Sequence, residues 1–190
     1  MNFNQHYRLK GEHAFLGASN YHWLNYSEEK LRQTYSSSIA RQRGTALHKL
    51  AEDLIKLKVR LPKNKSTLNR YVNDAIGFDM TPELVLYYSD NCFGTADSIS
   101  FERDRKTKRY VLRISDLKTG SSPTSMAQLK IYASIFCLEY GYSPNEIDII
   151  LRIYQNDEVN EEIPDPTEIL YIMDKIKRAD QIIEEMKMEV

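Results

Sequence analysis

Residues 109–120, Arg-Tyr-Val-Leu-Arg-Ile-Ser-Asp-Leu-Lys-Thr-Gly, leave this chain the fewest structural choices. The run reads as a strand that begins apolar and ends in charge. Side chains alternate faces along a strand, so Tyr110, Leu112 and Ile114 share one face and Asp116 and Lys118 continue it. A carboxylate and an ammonium at the end of a buried strand are costly to take out of water. They are either an ion pair closing the strand or two members of a reactive site, and the neighbouring segments bear on the choice.

Upstream, residues 93–101 alternate, with Phe93, Thr95, Asp97, Ile99 and Phe101 on one face. The charged stretch 102–108 is a turn, so the two strands form an antiparallel hairpin. Pairing Phe101 with Tyr110 sets Thr95 opposite Asp116 and Asp97 opposite Ile114. Asp97 and Asp116 then become diagonal neighbours. Residues 83–89 form an earlier β-favouring run closed by Asp90-Asn91.

The first forty residues read as a helical lead-in. Within 13–25, Ser19 caps a short helix carrying Trp23 and Leu24 inward. Ser27-Glu28-Glu29 starts a second helix reaching about Thr34, and Tyr35-Ser36-Ser37-Ser38 is a break. A long helix spans about 40–59, with Leu47, Leu50, Ala51, Leu54 and Lys58 on one stripe and Ile55 beside it. His48 and Glu52 share a face at the stripe's edge. Pro62 stops this helix, and 66–76 is a short one ending before Gly77. After a Thr119-to-Pro123 loop, residues 124–140 form a helix apolar nearly all round, ended by Gly141, with Gln128 and Tyr132 on one face. Residues 146–154 are a buried strand. Asp165-Pro166-Thr167-Glu168 starts a C-terminal helix with Ile169, Met173, Ile176, Ile183 and Met186 as its seam. The chain is expected to be a single domain over 1–190: lead-in 1–40, core 41–156 and C-terminal helix 165–190.

Composition excludes some function classes. With 42% hydrophobic and 28% charged residues the chain reads as an ordinary globular protein. No apolar run is long enough to span a bilayer and the start lacks a signal-peptide pattern, which predicts a cytoplasmic protein with no membrane partner. The two cysteines, Cys92 and Cys137, have no CxxC partner, so thiolates support neither a zinc site nor an iron–sulfur cluster. They read as reduced, half-buried fillers. Net charge is −1, which speaks against a protein that wraps nucleic acid. The charge is uneven, however: Arg41, Arg43, Lys49, Lys56, Lys58, Arg60, Lys63 and Lys65 face only Glu52 and Asp53 within 41–65, and the chain from Asn156 onward is strongly acidic. That pattern gives one positive face or two solvated helix faces, and charge alone leaves both open.

Two carboxylates forced together cannot both stay ionised cheaply, and a divalent cation removes the conflict. Oxygen ligands favour Mg²⁺ or Mn²⁺. Asp97 and Asp116 form such a pair in this register. His48 can complete the ligand set from its helix, with the Leu117 carbonyl as a further oxygen and Lys118 alongside.

The order Gly44-Thr-Ala-Leu-His48-Lys-Leu-Ala-Glu52, then Gly94-Thr-Ala-Asp97, then Asp116-Leu-Lys118-Thr-Gly, then Gln128-Leu-Lys-Ile-Tyr132 resembles the PD-(D/E)XK nuclease superfamily, closest to its RecB-like and phage exonuclease branch. The likeness runs from Gly44 to Tyr154. Phe15-Leu-Gly-Ala-Ser and Trp23-Leu-Asn also look like the lead-in of phage and prophage relatives. The resemblance implies an α/β fold with a restriction-endonuclease-like core, a central mixed β-sheet flanked by helices. It implies His48, Asp97, Asp116 and the Leu117 carbonyl as ligands of Mg²⁺ or Mn²⁺. Lys118 would orient the attacking water, and Gln128 and Tyr132 would support the lysine and the phosphate. Glu52 would orient His48 as an outer acceptor. The missing cysteines exclude the cluster-bearing members of the branch.

The implied function is a metal-dependent DNase leaving 5′-phosphates: an exonuclease of phage or prophage origin acting in DNA recombination, repair or processing, in the host cytoplasm if phage-encoded. Expected partners are DNA, a single-strand annealing recombinase and further copies of the chain. Two other classes stand beside it: a catalytically idle nucleic-acid-binding or scaffold module on the same fold, and a general phosphatase-like enzyme.

Overall fold

The computed structural model describes residues 14–16 and 18–189. The expectations for residues 1–13 and Gly17, and the cap assigned to Ser19, lie outside what is described. The chain divides between Arg43 and Gly44 into two compact units.

In the first unit a 3-10 helix, Ala18–Asn25, precedes α1, Glu28–Lys56, whose residues from Gly44 onward belong to the second unit. Trp23 is half-buried, but Leu24 is exposed rather than turned inward. The Ser27 hydroxyl accepts from the Lys30 N–H at 3.2 Å and starts α1 as expected. The break expected at Tyr35–Ser38 is absent, because helix runs straight through it. The hydroxyls of Thr34 and Ser37 donate to the carbonyls of Lys30 and Gln33, four residues back, at 2.7 and 2.9 Å. The polar groups are thus satisfied without leaving the helix. Phe15 and Tyr35 meet edge-to-face at 5.1 Å.

The second unit is α/β: a five-stranded mixed sheet flanked by helices, with β1 (Thr81–Ser89), β2 (Cys92–Arg103), β3 (Tyr110–Leu117), β4 (Ile147–Gln155) and β5 (Glu158–Glu162) side by side in that order. All neighbours are antiparallel except β3 and β4, which are parallel and joined through α3 (Ala127–Tyr140). Gly141 takes the left-handed conformation (φ 73°) that closes α3. One face of the sheet carries α3, with α4 (Pro166–Met188) packed against it, burying Leu86, Leu112, Ile114, Leu129, Phe136, Leu151 and Ile169. A second cluster joins Ala51 and Ile55 of α1 with Tyr71, Val72 and Ala75 of α2 (Thr67–Gly77), Leu117 and Tyr154. Each fully buried aliphatic side chain contributes about 1.5–3 kcal/mol. Cys92 is half-buried and Cys137 buried, and both are free thiols.

Four further expectations need correction. The β2–β3 register differs by two residues: Phe101 pairs with Leu112, and Arg103 with Tyr110. The turn is tighter than expected because Asp104 organises it, its carboxylate accepting from the N–H groups of Lys106 and Thr107. The inner face of α1 is Gly44, His48, Ala51 and Ile55, while Leu47 and Leu50 are exposed. α1 also ends at Lys56, with Lys58 at φ 53°, well before Pro62. The α4 seam holds through Ile176, which packs partly buried against the core, but Ile183 and Met186 are exposed.

A further strand, β5, is absent from the sequence reading. Its acidic residues disfavour a strand on propensity. The signal for it is Asn156-Asp157, both at positive φ, the two-residue turn that joins Gln155 to Glu158. The N-cap of α4 is as read: Asp165 accepts from the Thr167 N–H at 2.8 Å, with proline following. At the opposite border of the sheet, the Tyr87 N–H of β1 donates to a Glu139 carboxylate oxygen at 2.8 Å. Among the described residues no helix is long and apolar enough to cross a membrane.

Candidate metal centre

β3 runs through the middle of the sheet, so its C-terminal end is covered from both faces and Asp116 is only 2% exposed. One position beyond the last β2–β3 pair, Ser98 with Ser115, stand Asp97 and Asp116. The corrected register therefore sets the two acids across from each other. The Leu117 N–H donates to Asp97 Oδ2 at 2.9 Å. In an extended strand a residue's N–H and C=O point to the same side, so the Leu117 carbonyl also faces β2. His48 Nδ1, on the inner face of α1, is 3.4 Å from the same Asp97 oxygen.

On the other side of Asp116 the contacts form a line. Lys118 Nζ donates to Asp116 Oδ1 and to Gln128 Oε1, each at 3.0 Å, and Gln128 Nε2 donates to the Tyr132 hydroxyl at 3.2 Å. The structure thus brings His48 to Asp97, and joins Asp116, Lys118, Gln128 and Tyr132 through hydrogen bonds.

Two glycines of the motifs mark close approaches. A Cβ on Gly44 would stand 2.7 Å from Thr119 Oγ1, and one on Gly94 would stand 2.9 Å from the Tyr132 ring. Gly94→Ala is therefore expected to push the ring aside and destabilise the fold by about 1–3 kcal/mol, loosening the Tyr132–Gln128 bond that steadies Lys118. Urea denaturation alongside the wild type measures the loss. The loop after Lys118 is held by Gln155, whose amide donates to the carbonyls of Gly120 and Ser122.

The Glu52 carboxylate is bonded to Lys56 and Lys49, which hold it below the usual carboxylate range. The basic stretch is partly spent in the same way: Lys58 pairs with Asp79, and Arg60 donates to the Asn73 carbonyl.

The sequence reading missed Glu83. One ligand atom each from His48, Glu83 and Asp97 lie within 4.8 Å of one another, a spacing that suits a metal ion. Asp116, a member of the expected ligand set, lies outside this close group. The turn at Asp90-Asn91 pairs Ser89 with Cys92, and counting back from it sets Glu83 one position away from Asp97. A register shift between Tyr87 and Ser89 removes that difference.

The electrostatics agree with the crowding. Burial, then the Asp116 charge, pushes the Asp97 carboxyl up to about 6, against the opposing pull of the Leu117 N–H and His48. Asp116 Oδ2 is buried and accepts no hydrogen bond. A raised carboxyl binds its proton more tightly folded than unfolded. Stability from this group is therefore present below about pH 4 and is lost as pH rises through about 6. Chelator-treated protein should melt higher at pH 5 than at pH 7, and Asp97→Asn should flatten that difference. Calorimetry across this range measures it. No family model, curated protein or solved structure matches this chain.

Proposed function

We propose that this chain is a divalent-metal-dependent deoxyribonuclease of the PD-(D/E)XK kind, with a restriction-endonuclease-like core. The observation that carries the reading is Asp116: one oxygen anchors the Lys118–Gln128–Tyr132 line, and the other is buried without a donor beside a second carboxylate. An acceptor-only oxygen in that setting fits a cation. The donors fit too, since carboxylates, a carbonyl and one imidazole suit Mg²⁺ or Mn²⁺. His48, Asp97, Asp116 and the Leu117 carbonyl would hold the ion. When bound it supplies Lewis acidity that offsets charge building on the phosphoryl oxygens.

The chain's own residues do the rest. Lys118, partly exposed and fixed by two acceptors, holds a water in line with the scissile phosphorus. Gln128 keeps the lysine from swinging into solvent, and Tyr132 fixes the orientation of the Gln128 amide. Attack of the water oxygen on phosphorus breaks the bond to the 3′ oxygen, leaving a 5′-phosphate on one product and, as the water gives up a proton and the departing oxygen takes one, a 3′-hydroxyl on the other. An exonucleolytic role in phage recombination or repair, with a single-strand annealing partner, rests on the motif resemblance.

The test is cleavage of end-labelled linear DNA in Mg²⁺ or Mn²⁺, with p-nitrophenyl phosphate as the small-substrate comparison. A folded, metal-binding wild type that leaves DNA intact would indicate an idle module. Hydrolysis of the small phosphate alone would indicate a phosphatase.

A further inference from the structure

We infer that Glu83 is a further ligand of the divalent ion, supplied by the outermost strand of the sheet and held to it by an unfavourable backbone. This deepens the proposed function and rests on it. Three observations converge. Glu83 offers a carboxylate oxygen within 4.8 Å of ligand atoms of both His48 and Asp97. Its φ is 52°, a left-handed conformation inside a strand that is unfavourable for a residue with a Cβ. The flanking pairs, Pro82 with Ser98 and Leu84 with Ala96, keep one register, while Glu83, which stands across from Asp97, forms no pair.

β1 thus gives up a ladder position at the residue that faces the candidate centre, and the same departure from extended geometry brings the carboxylate to His48 and Asp97. Independently of this group, Asp116 Oδ2 is buried without a donor next to Asp97, which itself points to a cation. Charge agrees. Glu83, Asp97 and Asp116 against the ammonium of Lys118 leave a double negative charge, which one divalent ion neutralises.

The experiment is a Mn²⁺ titration of the full chain without DNA, following free Mn²⁺ by electron paramagnetic resonance. Wild type, Glu83→Gln, Glu83→Gly and Asp97→Asn are compared, with circular dichroism to verify folding. Glu83→Gln keeps the length of the side chain and should raise the Kd for Mn²⁺ at least about tenfold. Glu83→Gly should weaken Mn²⁺ binding as much, yet melt no lower than wild type without metal, since glycine accepts positive φ. Wild-type Mn²⁺ affinity in both Glu83 variants, with affinity lost in Asp97→Asn, overturns the role of Glu83 and leaves the nuclease reading standing. A wild type that binds no Mn²⁺ overturns both.

Discussion

Asp116→Ala and Lys118→Ala are each expected to lower the rate of DNA cleavage by about 10²–10³-fold, the usual consequence of removing one group aimed at charge developing in a transition state. The geometry says why neither has a substitute. Lys118 Nζ has two acceptors at 3.0 Å, one at the end of β3 and one on α3, so the ammonium is fixed before substrate arrives. Removing it also leaves Asp116, 3% exposed at its side chain, with neither oxygen bonded to a donor. Loss of stability must therefore be separated from loss of chemistry, and melts of each variant accompany the rates. Gln128→Ala is the informative intermediate. It keeps the charge and the ion pair but frees one side of the lysine, so a smaller fall in rate with an unchanged melt is expected. A folded Lys118→Ala that cuts at the wild-type rate would falsify the assignment.

The second large effect is on stability. At one hundred times its Kd, Mn²⁺ should stabilise the fold by about 2.7 kcal/mol, a rise of about 5–10 °C in melting temperature for a chain of this size. Asp97→Asn should abolish that rise and, in chelator, melt above the wild type. The sign follows from the environment of Asp97. Its carboxylate is desolvated and faces Asp116, which lifts it to about 6, so at pH 7 the metal-free protein carries an ionised group it would rather protonate. Asparagine keeps an oxygen for the Leu117 N–H and removes the charge. Differential scanning calorimetry with and without Mn²⁺ reads both halves. A metal-free Asp97→Asn that melts well below the wild type would show that the carboxylate stabilises the fold instead.

The parts of this architecture that were legible in the sequence are those fixed locally. The β2–β3 hairpin, the Asp165 cap and the helical spacing of Gln128 and Tyr132 depend on residues within a turn or two of one another. The register was not legible, because it depends on where the turn closes, and Asp104 closes it through side-chain bonds that alternation does not reveal. The inner face of α1 was misread for a related reason. Hydrophobicity points to Leu47 and Leu50, but a helix that borders a polar site turns Gly44 and His48 inward and leaves leucines in water. Glu83 escaped because its position across from Asp97 depends on a register shift in β1 that the turn at Asp90-Asn91 does not reveal.

The two borders of the sheet carry a consequence of their own. β5 presents Glu158, Glu161 and Glu162 along one border, and at the other Glu139 already occupies the Tyr87 N–H. A strand from a second molecule would have to push aside carboxylates to lengthen the ladder. Fibre-type association is therefore suppressed at both borders, and replacing these glutamates with neutral residues should release it there while the interior stays folded.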